Sequence, residues 1–170
     1  MWDPDPAIEE EWDAKLAVGL TAPFLLSRAC VPLLCAAGKK EGKPGCIINI
    51  SSTRANQAEE NHEGYSAVKA GLLGLNRAMA VSLGQRYGIR VNAILPGWIN
   101  VENENMAADE RGAKWEEGMS EEDHKWHPAG RVGKVEDIAR AVRFLVESEF
   151  VTGEEIVVDG GVTRKMVYPE

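Results

Sequence analysis

The chain has 170 residues, of which 44% are hydrophobic and 27% charged, which is enough chain and an ordinary composition for one globular domain with a core. Its formal net charge of −8 argues against nucleic acid and against anionic membrane surfaces, because both attract basic proteins. The three cysteines match no zinc or redox spacing, and the first twenty residues are acidic without the basic start of a secretory signal. We therefore expect reduced thiols, no metal site and a cytoplasmic protein.

The first predicted element is one long helix over residues 9–34. Residues 16–38 are largely apolar over the length of a bilayer span. They also contain Arg28, Pro23 and Pro32, so we expect a helix buried on most of its surface in a soluble protein rather than a membrane span.

The rest of the chain alternates strands with helices. In chain order it predicts a strand at 46–50, a loop at 53–64, a helix at 65–87, a strand at 89–95, a charged excursion at 100–130, a helix at 135–147 and a strand at 155–158. This alternation predicts an α/β fold with a parallel sheet, whose ligands bind at the carboxyl ends of the strands. Those ends carry Ser52, Gly97 and Asp159.

The informative pair is Tyr65 and Lys69, which lie four residues apart and therefore share one face of the predicted helix. A tyrosine hydroxyl, whose ordinary pKa is about 10, is a poor acid or base at neutral pH, and a lysine ammonium nearby favours its phenolate. The bare pattern also occurs by chance, with the tyrosine in a core and the lysine in water. Here, however, Ser52 ends the preceding strand thirteen residues before Tyr65 and could bring a second hydroxyl to the same substrate oxygen.

Six ordered segments extend this pattern: IINISS at 47–52, YSAVKAG at 65–71, RVNAILPG at 90–97, HPAGRVG at 127–133, EDIA at 136–139, and VTGE with VDGG within 151–161. Together they resemble the consecutive signatures of the short-chain dehydrogenase/reductase family, from about Trp12 to the C-terminus. The resemblance implies a Rossmann-type parallel sheet, truncated to its last three strands with flanking helices. It also implies one partial domain over residues 1–170, the catalytic portion without the dinucleotide-binding portion.

The resemblance assigns roles to the matching residues. It implies hydride transfer between NAD or NADP and a secondary alcohol or ketone, with a sugar, an acyl compound and a polyol all open as substrates. Tyr65 would be the general acid and base, and Ser52 would hydrogen-bond the substrate oxygen, with Ser51 as the weaker serine candidate. Lys69 would favour the tyrosine phenolate and bind the nicotinamide ribose. Together with Tyr65 and Lys69, the residues Pro96, Gly97 and the backbone of Ile99 would hold the cofactor.

The chain departs from the family pattern at three points. It contains no G-x-x-x-G-x-G phosphate-binding turn, so we expect the chain alone to bind NADH or NADPH weakly or not at all. Gly19 stands where the family carries an asparagine that supports its proton relay. Val101 stands where the family often has a threonine that contacts the cofactor.

Several other residues have more than one possible role. His124 and His127 have a helical metal-ligand spacing but no evident third ligand, so we interpret them as surface histidines. His62 could touch the substrate from the loop before Tyr65. Four large apolar residues pack in the core or form a substrate lid, and the sequence does not choose between these: Trp98, Trp115, Met119 and Trp126.

Three hypotheses stay open for the whole chain. It is an oxidoreductase, an inactive remnant that acts as an oligomerisation or interaction protein, or an incomplete gene model of a longer enzyme. In each case we expect a homo-oligomer formed through helices 12–34 and 65–87. The first has more apolar residues than one core-facing stripe needs, and the second has small residues that allow close helix approach.

Overall fold

A three-stranded parallel sheet organises the computed structural model, which describes residues 8–42 and 44–166, without the side chains of 36–41. The strands are β1 (Cys46–Ile50), β2 (Arg90–Pro96) and β3 (Glu155–Val158), in the order β1-β2-β3. Cys46 pairs with Arg90, and Ala93 pairs with Glu155. The predicted α/β class and parallel sheet are confirmed.

Helices connect and cover these strands. They are α1 (Ile8–Leu16), α2 (Ala22–Glu41), α3 (Glu63–Tyr87), α4 (Met106–Arg111), α5 (Glu121–Lys125) and α6 (Val135–Glu147). A π-helical turn, Ala17–Thr21, joins α1 to α2 without a break, which gives the single long helix that the sequence predicts. The excursion after β2 contains α4 and α5, two short helices.

The core is centred on β2. Val91, Ala93 and Leu95 are fully buried and pack with residues of α3 that include Leu73 and Met79. Ile94 is also fully buried, and because side chains alternate along a strand it points to the opposite face. Helix α6 packs against β2 and β3 as well. The central strand is therefore covered on both faces, as its continuous apolar sequence predicts.

Two polar residues of β2 hold the segment before β3 in place. The Arg90 guanidinium donates to the backbone carbonyls of Leu145 at 2.7 Å, Val146 at 2.9 Å and Val151 at 3.2 Å. Asn92 Nδ2 donates to the Val151 carbonyl at 2.9 Å. The bonds to Leu145 and Val146 satisfy carbonyls at the C-terminal end of α6, which have no partner within the helix, and those to Val151 hold the segment that follows it.

Helix α2 differs from the prediction. The apolar segment from Ile8 to Cys35 is long and apolar enough, by length and composition alone, to cross a membrane, and only 6% of its most apolar window is buried. The expectation that this helix is buried on most of its surface is wrong. Leu26 and Leu33 are 66% and 71% exposed, because the described elements cover only one side of α2. The three cysteines are free and partly buried.

Candidate active site

Tyr65 and Lys69 lie on the first turns of α3, beside the carboxyl end of β1. Lys69 Nζ donates to the Ile50 carbonyl at 2.9 Å and lies 5.5 Å from the centre of the Tyr65 ring. Tyr65 is 38% exposed, so the alternative of a core tyrosine does not apply. The strand end therefore fixes the ammonium at the ring while the phenol stays accessible.

The two serines after β1 have different partners. Ser51 Oγ donates to the Lys69 carbonyl at 2.9 Å, and Ser51 N donates to the Ile94 carbonyl at 2.8 Å, so Ser51 ties β1 to α3 and β2. Ser52 Oγ accepts from Arg54 N at 3.1 Å, and this leaves the hydroxyl proton of Ser52 for another acceptor. Within the described residues, the hydroxyls of Ser52 and Tyr65 form no hydrogen bond with each other. Their approach to one substrate oxygen stays a prediction.

Gly97 lies where β2 and β3 end side by side. Its amide donates to the Val158 carbonyl at 2.9 Å, and a Cβ at this position would lie 2.7 Å from Asp159 Cβ. Only glycine fits without a shift. Asp159 accepts from the amides of Gly161 at 2.8 Å and Thr163 at 2.7 Å. Burial opposes ionisation here, but the hydrogen bonds outweigh it and lower the pKa of the Asp159 carboxyl.

Pro96 ends β2, and Ile99 lies just beyond it, where the chain turns into the excursion. Ile99 forms an isolated parallel bridge with Gly133, and Asn100 N donates to the Gly133 carbonyl at 3.0 Å. This pairing holds the backbone of Ile99 against the loop before α6.

A cavity of about 280 Å³ opens next to Ser52 at this edge of the sheet. Its lining includes Gly97, Trp98 and His127. Trp98 is half-exposed and is the only one of the four large apolar residues that lines this cavity within the described chain. The three tryptophans therefore differ in their surroundings. Trp98 lines the cavity beside Ser52, whereas the ammonium groups of Lys134 and Lys165 lie over the rings of Trp115 and Trp126, respectively.

The three histidines differ in burial and in their contacts. The interpretation of His127 as a surface residue is wrong, because it is 2% exposed and its Nδ1 lies 2.9 Å from the Asp123 carbonyl. His124 is partly buried, and its Nδ1 accepts from Val132 N at 3.3 Å. His62 lies just before α3, with its ring edge-on to Tyr65 at 6.5 Å between centroids. The sequence placed His127 at the surface because nothing local shows that the excursion folds back onto the strand ends.

Two of the three departures from the family pattern are single residues, Gly19 and Val101, and the structure describes the surroundings of both. Gly19 lies in the π-helical turn, where a Cβ would collide with the Val68 side chain on α3. An asparagine therefore has no room there unless Val68 moves. Val101 is 59% exposed at the start of the excursion.

The residues present fit one end of a nicotinamide dinucleotide. The Lys69 ammonium and the Ser52 and Tyr65 hydroxyls supply donors for a ribose and for a substrate oxygen. The sequence supplies no glycine-rich turn for the pyrophosphate. The fit is therefore to the nicotinamide and its ribose.

A family model described as enoyl-(acyl carrier protein) reductase matches residues 7–163. The chain belongs to the short-chain dehydrogenase/reductase family. An uncharacterised oxidoreductase of Thermotoga maritima is 44% identical over 164 residues, which are 95% of this chain and 60% of that protein.

Solved structures of the family agree with the fold. An apo SCOR enzyme from Clostridium thermocellum has a TM-score of 0.78 and 42% identity, over 94% of this chain and 56% of its own. A gluconate 5-dehydrogenase from Burkholderia cenocepacia, in complex with NADP and tartrate, has a TM-score of 0.71 and 28% identity, over 95% of this chain and 58% of its own. The chain thus spans a little more than half the length of the relatives it matches.

Proposed function

We propose that this chain carries the proton-transfer site of an NAD(P)-dependent oxidoreductase that interconverts a secondary alcohol and a ketone. One observation carries the proposal: Lys69 Nζ is anchored to the Ile50 carbonyl at 2.9 Å and lies 5.5 Å from the accessible Tyr65 ring. An ammonium held beside an accessible phenol is an arrangement that suits proton transfer to and from a substrate oxygen, since its charge stabilises the negative charge that develops there.

The chain's own residues would handle the substrate oxygen. In the reducing direction the Tyr65 hydroxyl gives its proton to the carbonyl oxygen, and in the oxidising direction the phenolate removes the proton of the carbinol. Ser52, whose hydroxyl proton is not used by Arg54, donates to the same oxygen and stabilises its developing charge. The nicotinamide, when bound, supplies or accepts the hydride.

The relatives support a nicotinamide cofactor for this chain, but their names do not agree on one class of substrate. The Burkholderia enzyme binds NADP, and we propose NAD or NADP for this chain. The family model is described by an acyl carrier protein substrate, and the Burkholderia protein by gluconate. Acyl compounds and hydroxy acids are therefore both candidate substrates.

The test is hydride transfer by two preparations: the chain alone, and the chain fused to the part of the Thermotoga relative that it does not cover. We expect NADPH or NADH oxidation with ketones by the fused protein and weak or no cofactor binding by the chain alone. Tyr65→Phe should lower the rate of the fused protein by about 10²–10⁴-fold, because the proton donor is lost. Tyr87→Phe, at the far end of α3, is the matched control.

A Tyr65→Phe protein as active as the control would reject Tyr65 as the acid and base. Micromolar NADH binding by the chain alone, in calorimetry or fluorescence titration, would show that these 170 residues suffice for the cofactor.

A second candidate function is association. Phe24, Leu25, Leu26 and Leu33 of α2 are 45–71% exposed, and a groove of about 610 Å³ runs between α2 and α3. Apolar surface on this scale marks interaction sites. We propose that this face pairs with a second copy of the chain. Such pairing is also what we expect if the chain is an inactive remnant that acts as an interaction protein.

Light scattering after size exclusion tests the pairing. A discrete dimer or tetramer, converted to monomer by Phe24→Glu in this groove but not by Lys125→Glu on α5, would support it. A stable monomer at high micromolar concentration would reject it.

A further inference from the structure

His127 holds a buried nitrogen without a partner. A backbone carbonyl only accepts hydrogen bonds, so the Nδ1 that lies 2.9 Å from the Asp123 carbonyl carries the ring proton. In the neutral ring Nε2 is then an acceptor. Among residues 8–42 and 44–166, nothing donates to this Nε2, and it is shielded from solvent.

This nitrogen is held in place on several sides. His127 N donates to the His124 carbonyl at 3.1 Å, and the His127 carbonyl accepts from Gly130 N at 2.8 Å. Ala129 N donates to the Gly160 carbonyl at 2.9 Å, which joins the loop to the end of β3. A buried acceptor without a donor is destabilising and uncommon, so its retention in so firmly held a ring suggests a use.

The ring also borders the proposed site. His127 and Ser52 line the same cavity of about 280 Å³. The Trp98 ring lines this cavity as well, lies 5.9 Å from the imidazole between ring centres and is half-exposed. Because Nε2 has no exposed surface, a small molecule in the cavity reaches this acceptor only by displacing a neighbouring side chain, and Trp98 is the exposed one among those that line the cavity.

We propose that His127 Nε2 accepts a hydrogen bond from a hydroxyl group adjacent to the reacting carbon of the substrate. The substrate class is then a small hydroxy ketone and the corresponding vicinal diol. This inference rests on the proposed alcohol and ketone chemistry and adds a specificity-determining residue to it. An acyl thioester offers oxygens that only accept near its ketone, and it would leave Nε2 without a donor.

The test is the binding of two small ketones to the full chain, followed by the ¹⁵N and ¹H shifts of its histidine rings and amides. Hydroxyacetone and acetone differ by the one hydroxyl group in question. We expect hydroxyacetone to bind about tenfold more tightly or better, because a buried hydrogen bond is at stake. The shift of His127 Nε2 should change with hydroxyacetone and not with acetone.

Two substitutions separate ligand binding from support of the loop. His127→Asn keeps a donor near the Nδ1 position and lacks an acceptor at the Nε2 position, so the tenfold preference should disappear. His127→Gln places an amide oxygen near the Nε2 position and should retain most of the preference. His124→Asn, whose amide oxygen can replace the acceptor for Val132 N, is the matched control and should behave as the unsubstituted chain.

Each other outcome overturns the inference. Equal binding of the two ketones, binding of neither, or a preference kept by His127→Asn and lost by His127→Gln would leave His127 with a structural role alone. Amide spectra show whether each variant is folded. Because no nicotinamide is present, the binding result is independent of hydride transfer, and either proposal can fail while the other stands.

Discussion

The two sides of the sheet differ in how completely this chain covers them. Around β2 the side chains of Val91, Ile94 and Leu95 are fully buried, and the polar groups of Arg90 and Asn92 have hydrogen-bond partners. Around β1 an apolar groove of about 870 Å³ runs between α2 and the strand, and α2 exposes most of its leucines. Tyr65 and Lys69 lie where these two sides meet. The comparison teaches that polar side chains can be held in place at a strand end while the described residues leave the surface beside them uncovered.

The largest expected effect compares one leucine from each side. Leu95→Ala removes a fully buried side chain beside Leu73 and should lower the free energy of unfolding by about 2–5 kcal/mol. Leu33→Ala, at a position 71% exposed, should change it by about 0.5 kcal/mol or less. Urea unfolding at low protein concentration measures both. Comparable losses would mean that α2 is covered in solution and would contradict the difference between the two sides of the sheet.

A smaller effect is expected at the junction of β2 with α6. Arg90→Met keeps much of the side-chain volume but leaves the carbonyls of Leu145, Val146 and Val151 without their donor. We expect a loss of about 1–3 kcal/mol in the same urea measurement. Arg86→Met near the end of α3, whose guanidinium donates to no carbonyl of the described residues, is the control. Equal stability of the two variants would show that these carbonyls are satisfied by other groups.

The smallest expected effect is a pH dependence at the start of α6. The hydrogen bond from Arg131, assisted by the amide of Lys134 and opposed by burial, lowers the pKa of the Asp137 carboxyl from 3.8 to about 2. Its contribution to stability is therefore complete above pH 3.8 and is lost as the pH falls through about 2. After allowance for solvent screening we expect about 1 kcal/mol.

Asp137→Asn should remove this part of the acid dependence, and urea unfolding across that pH range measures it. Asp109→Asn on α4 is the control, since its carboxylate is exposed. An unchanged acid slope in Asp137→Asn would show that the pair with Arg131 contributes nothing in solution.

Local pattern was enough to predict much of the fold. The strand at 46–50, the helix at 135–147 and the strand at 155–158 have the expected bounds, because apolar runs and polar turns mark both ends of each. The helix expected at 65–87 begins at Glu63, and the strand expected at 89–95 is shifted by one residue to Arg90–Pro96. Helix and strand ends depend on capping and pairing details that single sequences carry weakly.

The features that were missed depend on contacts between distant segments. Apolar residues on α2 indicate that something covers them but do not say whether this chain supplies it, so the expected burial was wrong. His127 is the first residue of a recognisable motif, yet its burial follows from the pairing of Ala129 with Gly160 across thirty-one residues of chain. The proximity of Tyr65 and Lys69 was predictable because their relation is local, one turn apart on one helix.

The π-helical turn at Ala17–Thr21 sets the rotational phase between α1 and α2. The Ala22 amide donates to the Ala17 carbonyl, five residues back, so the turn holds one residue more than an α-helical turn would. Each residue rotates an α-helix by about 100°, so an extra residue that the turn did not absorb would rotate every side chain of α1 by about that angle relative to α2. The width of this turn, more than the identity of its residues, therefore decides which surface α1 turns toward α3.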